Sequence, residues 1–331
     1  MRLAIIGASG MLGHHVAAAA VHAGYNLIVT YRNPRSLELL KDLTFEARQA
    51  DLDDRDALRR ALAGADAVIN CAGYYPTVPR PWRDEVRTAT TRMQNFYDAC
   101  ADLPLRKIVY LGAAIALPRD PGGQPGNESH SYPEQPADKN PYLQAKWAMD
   151  AQALAKAKEG LPVTIGIPTM TFGEFDPGST TGRFILEMAN GTLPGYVDGR
   201  RNVIYAGDAG RGLVRVCEDG RVGERYLLGG ENLTMRQLLG KIAGATGKPM
   251  PKAIPLGVAR LLSAWQAFRY SALRGPDPKV SASAIAVMAS GQFIDATKAR
   301  QELGFAAQTS TDDAINRALA WFRRQGMVTA G

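Results

Sequence analysis

The chain has 331 residues, roughly two domains at about 150 residues each, and its 46% hydrophobic and 21% charged composition excludes both a minimal module and wholesale disorder. Thirty-nine basic and 32 acidic residues leave +7, yet the densest basic spots are pairs (Arg59-Arg60, Arg200-Arg201, Arg323-Arg324), which argues against a nucleic-acid partner. Cys71, Cys100 and Cys217, odd in number and widely spaced, make neither a disulfide framework nor a zinc site and read as reduced thiols.

Arg2 and Leu3 open directly on an apolar strand, with no charged leader ahead of a cleavable signal. The helix from Met11 to Ala23 is interrupted by His14, His15 and His22, so it does not read as a membrane span. The expected location is the cytoplasm. Strand-like runs at 3–7, 26–31, 44–50, 65–71, 106–112 and 161–167 alternate with helical stretches to Ala23 and over 36–43, 55–63, 82–101 and 141–158. Apolar strands alternating with helices predict an α/β, Rossmann-type, doubly wound parallel sheet covered on both faces.

Between Leu117 and Asn140 a Pro- and Gly-rich stretch without periodicity reads as a lid or site loop. Beyond Pro168 the alternation fails: a helix near 182–190, strands at 202–206 and 224–230, a helix at 234–245 and further helices to the C-terminus follow. The expected division is a dinucleotide-binding domain at 1–168, rejoined by 201–222, and a smaller, mostly helical substrate lobe at 169–200 and 223–331. A ligand crevice should lie between them.

Gly7, Gly10 and Gly13 follow the first strand and open a helix with GxxGxxG spacing, the pattern in which bare backbone and a helix N-terminus hold a diphosphate. At the end of the second strand, where a carboxylate would bond the adenosine 2′-hydroxyl, the sequence reads Thr30-Tyr31-Arg32-Asn33-Pro34-Arg35. Arg32 and Arg35 suit a 2′-phosphate, which favours NADP(H) and leaves NAD(H) possible. Asp51, beside Leu52 after the third strand, can accept from the adenine amino group, or the acidic cluster Asp51, Asp53 and Asp54 can simply cap the next helix.

Asn140 and Pro141 start a helix on which Tyr142 and Lys146 stand at i, i+4, so an ammonium can approach a phenol and lower its pKa toward neutrality. Tyr142 then reads as a general acid/base. With GASGMLG at the N-terminus, PYLQAK about 130 residues on, LPVTIGIPTMTFG, VGERYLLGGENLT and ATKARQELGF in order, the whole chain resembles the extended short-chain dehydrogenase/reductases of the NAD-dependent epimerase/dehydratase type. Within that group IPTMTFGEFDPGSTTGR is most similar to dihydroflavonol-reductase-like and hopanoid-associated sugar-epimerase-like members.

The resemblance implies an oxidoreductase or epimerase in which Tyr142 moves a proton and Lys146 holds the nicotinamide ribose. The cofactor set on this reading is Gly7, Ser9, Gly10, Met11, Leu12, Gly13, Arg32, Arg35, Asp51, Leu52, Cys71, Ala72, Gly73, Tyr142, Lys146, Pro168, Thr169 and Met170. A small molecule, a nucleotide-sugar among the options, would meet Tyr74, Tyr75, Arg183 or Arg201, while His130 in the loop reads as exposed. The resemblance also implies a homodimer through the helices at 82–101 and 141–158.

One position departs from the family. Where a Ser or Thr usually orients the substrate oxygen, the chain has Ala113, and losing one such donor costs about 10² to 10³ in rate. Either Thr169, Ser131 or Tyr132 substitutes, or the protein is a slow enzyme, or it binds NADP(H) as a regulator.

Overall fold

The computed structural model describes residues 1–76, 80–178, 180–273 and 291–329. In chain order the elements are β1 (Arg2–Ile6), α1 (Met11–His22), β2 (Asn26–Tyr31), β3 (Phe45–Gln49), α2 (Arg55–Leu62), β4 (Ala67–Asn70), α3 (Trp82–Ala101), β5 (Lys107–Leu111), α4 (Pro141–Lys158) and β6 (Val163–Pro168). There follow β7 (Met170–Phe172), α5 (Arg183–Ala189), β8 (Arg200–Tyr205), α6 (Ala206–Asp219), β9 (Arg225–Leu228), β10 (Glu231–Thr234), α7 (Met235–Thr246), α8 (Leu256–Leu273), α9 (Thr297–Leu303) and α10 (Thr311–Arg324). The expected run of helices to the C-terminus falls partly on 274–290, outside the described residues.

Seven parallel strands run in the order β3-β2-β1-β4-β5-β6-β9. The chain turns from one half of the sheet to the other between β1 and β4, and the crevice beyond their carboxyl ends is where such sheets take ligands. Alternation sorts the strand residues into two cores: Leu3 and Ile5 pack with Val16 of α1 and Leu213 of α6, whereas Ala4 and Ile6 pack with Leu58, Phe96 and Met149 of α2, α3 and α4.

Past Pro168 the chain steps at Thr169 into a second, three-stranded sheet, β10-β8-β7, which with α5, α7 and α10 encloses a third core around Phe172, Leu238, Leu239 and Phe322. Two stretches differ from the expected division. Residues 201–205 lie in this smaller sheet, whereas β9 returns to the large one because Tyr226, Leu227 and Leu228 are fully buried against it. The stretch expected as a helix over 36–43 is a 3-10 segment, Pro34–Leu40, whose Asn33 cap accepts from Arg35 N at 3.0 Å.

The Pro- and Gly-rich loop is fastened rather than loose. Gly126 N donates to Phe293 O at 2.8 Å, Asp295 N donates back to Gly126 O at 2.9 Å, and Arg200 donates to Gly123 O at 2.6 Å. Glu128 accepts from Leu227 N at 2.7 Å, satisfying a donor on the edge strand β9. Beside it Arg225 of β9 pairs with Asp150, a carboxylate only 3% exposed on α4, and so holds that helix to the sheet.

Candidate active site

The glycine turn is built by exclusion of side chains. Gly7 has φ +80°, and a Cβ there would sit 2.9 Å from Ala72 N; one on Gly13 would sit 2.1 Å from Gly7 O. Helix and strand could not approach this closely around any larger residue. At Gly10, by contrast, a Cβ would meet only Gly7 O at 3.6 Å, so the outer side of the turn is accessible backbone. No side chain caps α1, which leaves the N–H groups of its first turn for an anion. Ser9, Met11 and Leu12 belong to this same turn, and these features fit a dinucleotide's diphosphate.

After β2, Arg32 lies 73% exposed with its Nη1 3.9 Å from Asp51 Oδ2. Asp51 also accepts from Asp53 N at 3.1 Å, so its carboxylate serves a turn and faces an arginine before any adenine. Asp54, not Asp51, caps α2 by accepting from Ala57 N at 2.9 Å. Arg35 is exposed, and Leu52 contributes its carbonyl to Asn95 Nδ2 at 3.0 Å.

At the start of α4, Asn140 Oδ1 accepts from Tyr142 N (3.0 Å) and Leu143 N (3.2 Å), and Pro141 occupies the first helical position. Lys146 is buried, its Nζ only 2.9 Å from where a Gly73 Cβ would be, so the ammonium lies against the backbone after β4. Burial lowers the Lys146 ammonium to about 8. The Tyr142 phenol moves opposite to expectation: burial raises it, and the neighbouring Tyr75 adds to the rise. Lys146 Nζ lies 5.8 Å from the Tyr142 ring centroid, too far through a desolvated site to offset the cost of burying a phenolate.

Tyr75 packs its ring 4.7 Å from that of Tyr142. Tyr74 instead turns to α3, donating to Glu85, a buried carboxylate whose place in the first turn of a helix gave no sequence signal beyond the helix dipole. Cys71 and Ala72 follow β4 beside the turn; Ala72 N donates to Asn70 Oδ1 at 3.0 Å, and burial pushes the Cys71 thiol up to about 12. Pro168, Thr169 and Met170 form the step between the sheets.

The profile of the NAD dependent epimerase/dehydratase family matches residues 3–229. The chain belongs to that family. A nucleoside-diphosphate-sugar epimerase from Pseudomonas aeruginosa is 41% identical over 99% of both chains, with a TM-score of 0.85. A Synechocystis protein named for dihydroflavonol 4-reductase is 27% identical over 98% of this chain and 95% of its own. Sterol demethylase protein B of Methylococcus capsulatus is 29% identical over 99% and 100% respectively. This epimerase/dehydratase-family chain is therefore an extended short-chain dehydrogenase/reductase of a nicotinamide-dependent group.

Against that family assignment, the hydroxyl-free position gains weight. Ala113 caps the 3-10 turn Ala114–Ala116 without a side-chain bond, and that turn packs on α4. Thr169 is not free to substitute: its hydroxyl donates to Asn202 Oδ1 at 2.8 Å, the same oxygen that accepts from Gly230 N at 2.8 Å. Asn202, buried and bonded also to Asn232 Oδ1 at 2.8 Å, is a knot of the small sheet that hydrophobic patterning could not reveal. Ser131 is exposed and Tyr132 half-buried.

Of the two arginines expected at the substrate, Arg183 is exposed and pairs along its own helix with Glu187 at 2.6 Å. Arg201 is buried, and burial together with Arg119 lowers it to about 10. His130 is half-buried rather than exposed, 3.9 Å from Asp120 in the fastened loop.

Proposed function

We propose that the chain is an NADP(H)-dependent oxidoreductase or epimerase acting at a hydroxyl- or carbonyl-bearing carbon of a sugar nucleotide or a small ketone or aldehyde. The observation that carries this reading is the junction of Gly73, Lys146 and Tyr142 after β4 and at the start of α4, in one chain with the open glycine turn. A bound nicotinamide supplies or accepts the hydride. Gly7, Gly10, Gly13 and the first turn of α1 hold the diphosphate, Arg32 and Arg35 favour a 2′-phosphate, and Lys146 orients the ribose. Tyr142 gives or takes the substrate-oxygen proton, its raised pKa suiting it to act from the protonated form.

Tyr142→Phe is expected to lower kcat by ~10² to 10⁴ and leave the NADPH Kd, read by fluorescence titration, within about threefold. Unaltered turnover would remove Tyr142 from the chemistry. To Tyr75 we assign the hydroxyl that Ala113 lacks, because its ring lies against that of Tyr142 and its phenol is felt there. Tyr75→Phe should then cost ~10² in kcat, and adding Ala113→Ser should restore most of the loss. A Tyr75→Phe variant as fast as the parent contradicts the assignment.

For a phosphorylated substrate Arg183 and Arg201 are the candidate cations, the first exposed beside Glu187 and the second buried in the small sheet with a bond to Arg200 O at 2.6 Å. Cytoplasmic residence is supported by three free cysteines, and pairing through α3 and α4 by their packing as one layer. Ala113 favours a second reading, an NADP(H)-binding regulator. NADPH binding without turnover of any offered substrate, even in Ala113→Ser, would favour it.

A further inference from the structure

Of the nine large hydrophobic side chains exposed among the described residues, six lie between 250 and 268, and five of these are on α8. Val258, Leu261, Leu262, Trp265 and Phe268 recur at i, i+3, i+4, i+7 and i+10, which places them on one face. Leu261 is 73% exposed and Trp265 56%, with the Trp265 and Phe268 rings stacked 6.1 Å apart. The other side of the helix is seated: Ala259 and Ser263 are buried, and Ala259 packs with Val197. The apolar stripe is therefore presented outward by an anchored helix.

Charge identifies what covers it. Residues 232–276 contain seven Lys or Arg and no Asp or Glu, so they carry the whole net charge of +7 and the rest of the chain has 32 residues of each sign. Lys248, Lys252, Arg260 and Arg269 are exposed, and none makes an ion pair among the described residues. A second copy docked on the same face would bring these like charges together. No helix among the described residues is long and apolar enough to cross a membrane.

We propose that α8 and the basic segment leading into it dock the protein in the plane of an anionic lipid bilayer. Leu261, Trp265 and Phe268 enter the headgroup–acyl boundary, where aromatic residues are favoured, and the lysines and arginines meet lipid phosphates.

The test is co-sedimentation of the full chain with phosphatidylcholine vesicles, with and without one-quarter phosphatidylglycerol. Each basic group near the surface is worth ~5-fold in partition, so binding at least ~10-fold tighter to the anionic vesicles, weakened by salt, is expected. Leu261→Glu with Trp265→Glu alters only exposed positions; it should abolish sedimentation while dinucleotide binding stays unchanged. Lys248→Glu with Lys252→Glu should remove the preference for anionic lipid. The proposal is overturned by absence of binding to anionic vesicles, by equal binding to both kinds, or by a dimer in solution that Trp265→Glu dissociates.

Discussion

Around the glycine turn the protein offers backbone: Gly10 stands open, and Gly7 and Gly13 are glycines because backbone lies within 3 Å of where a Cβ would go. Around Thr169 the reverse holds, since side chains already bonded to one another, Thr169 to Asn202 and Asn202 to Asn232, occupy the step between the two sheets. The first region depends on the absence of side chains at fixed spacing. The second is held by a buried side-chain network, in which each group depends on its partner's identity.

The largest effect is expected where α4 is fastened to the edge of the large sheet. Tyr142, Lys146 and Asp150 fall at successive i+4 positions of α4, and Arg225 clamps the last of them to β9. Arg225→Met leaves a buried carboxylate unpaired and should cost about 3–5 kcal/mol by urea unfolding. The double variant Arg225→Met, Asp150→Leu should recover most of that loss. If the single variant is as stable as the parent, the clamp is not what positions α4.

Next comes Gly13→Ala, which pushes a methyl against Gly7 O and Ala8 Cα, both backbone atoms with little room to give. Overpacking of this kind should cost about 3 kcal/mol and weaken NADPH binding by at least tenfold. The same substitution at Gly10 meets no such obstacle and should leave stability within ~1 kcal/mol. Equal losses at both positions would show that the turn is not graded by backbone proximity.

This contrast also explains what could be read in advance. The strand and helix bounds of α3 and α4, the glycine turn, Tyr142 and Lys146 are written in local patterns: apolar period, caps, and glycines at fixed spacing. The position of β9, the fastening of the 117–140 loop and the engagement of Thr169 depend on partners 30 to 170 residues away, which no local pattern encodes. The direction of the Tyr142 pKa is hidden from the sequence for a related reason. Helical spacing showed a cation one turn away but not the burial that outweighs it.

His14 links the helix after the glycine turn to the chain beyond β7. His14 stacks on Phe175 at 3.5 Å, and Phe175 holds a left-handed φ of +62° just past β7. Burial, with His15 adding to it, lowers His14 from 6.5 to about 4. A histidine depressed in the folded state binds its proton more tightly when unfolded, so its contribution is whole above pH 6.5 and is lost as pH falls toward 4. The loss should approach about 3 kcal/mol. His14→Phe should flatten the unfolding midpoint across that window relative to the parent, and an unchanged slope would mean His14 takes up its proton without disturbing the fold.

The smallest effect should separate the two dinucleotides. Arg32 is mostly solvated and already faces Asp51 at 3.9 Å, so its gain from a 2′-phosphate is that of an exposed, screened pair with one charge partly satisfied. Arg32→Ala should therefore weaken NADPH only ~10-fold and leave NADH within about twofold. Asp51→Asn should act in the opposite sense on NADPH, because it releases Arg32 from the carboxylate it faces at 3.9 Å. Equal losses for both dinucleotides in Arg32→Ala would mean that this arginine supports the loop after β2 and does not read the phosphate. In that case Arg35, on the 3-10 segment capped by Asn33, is the next arginine to test.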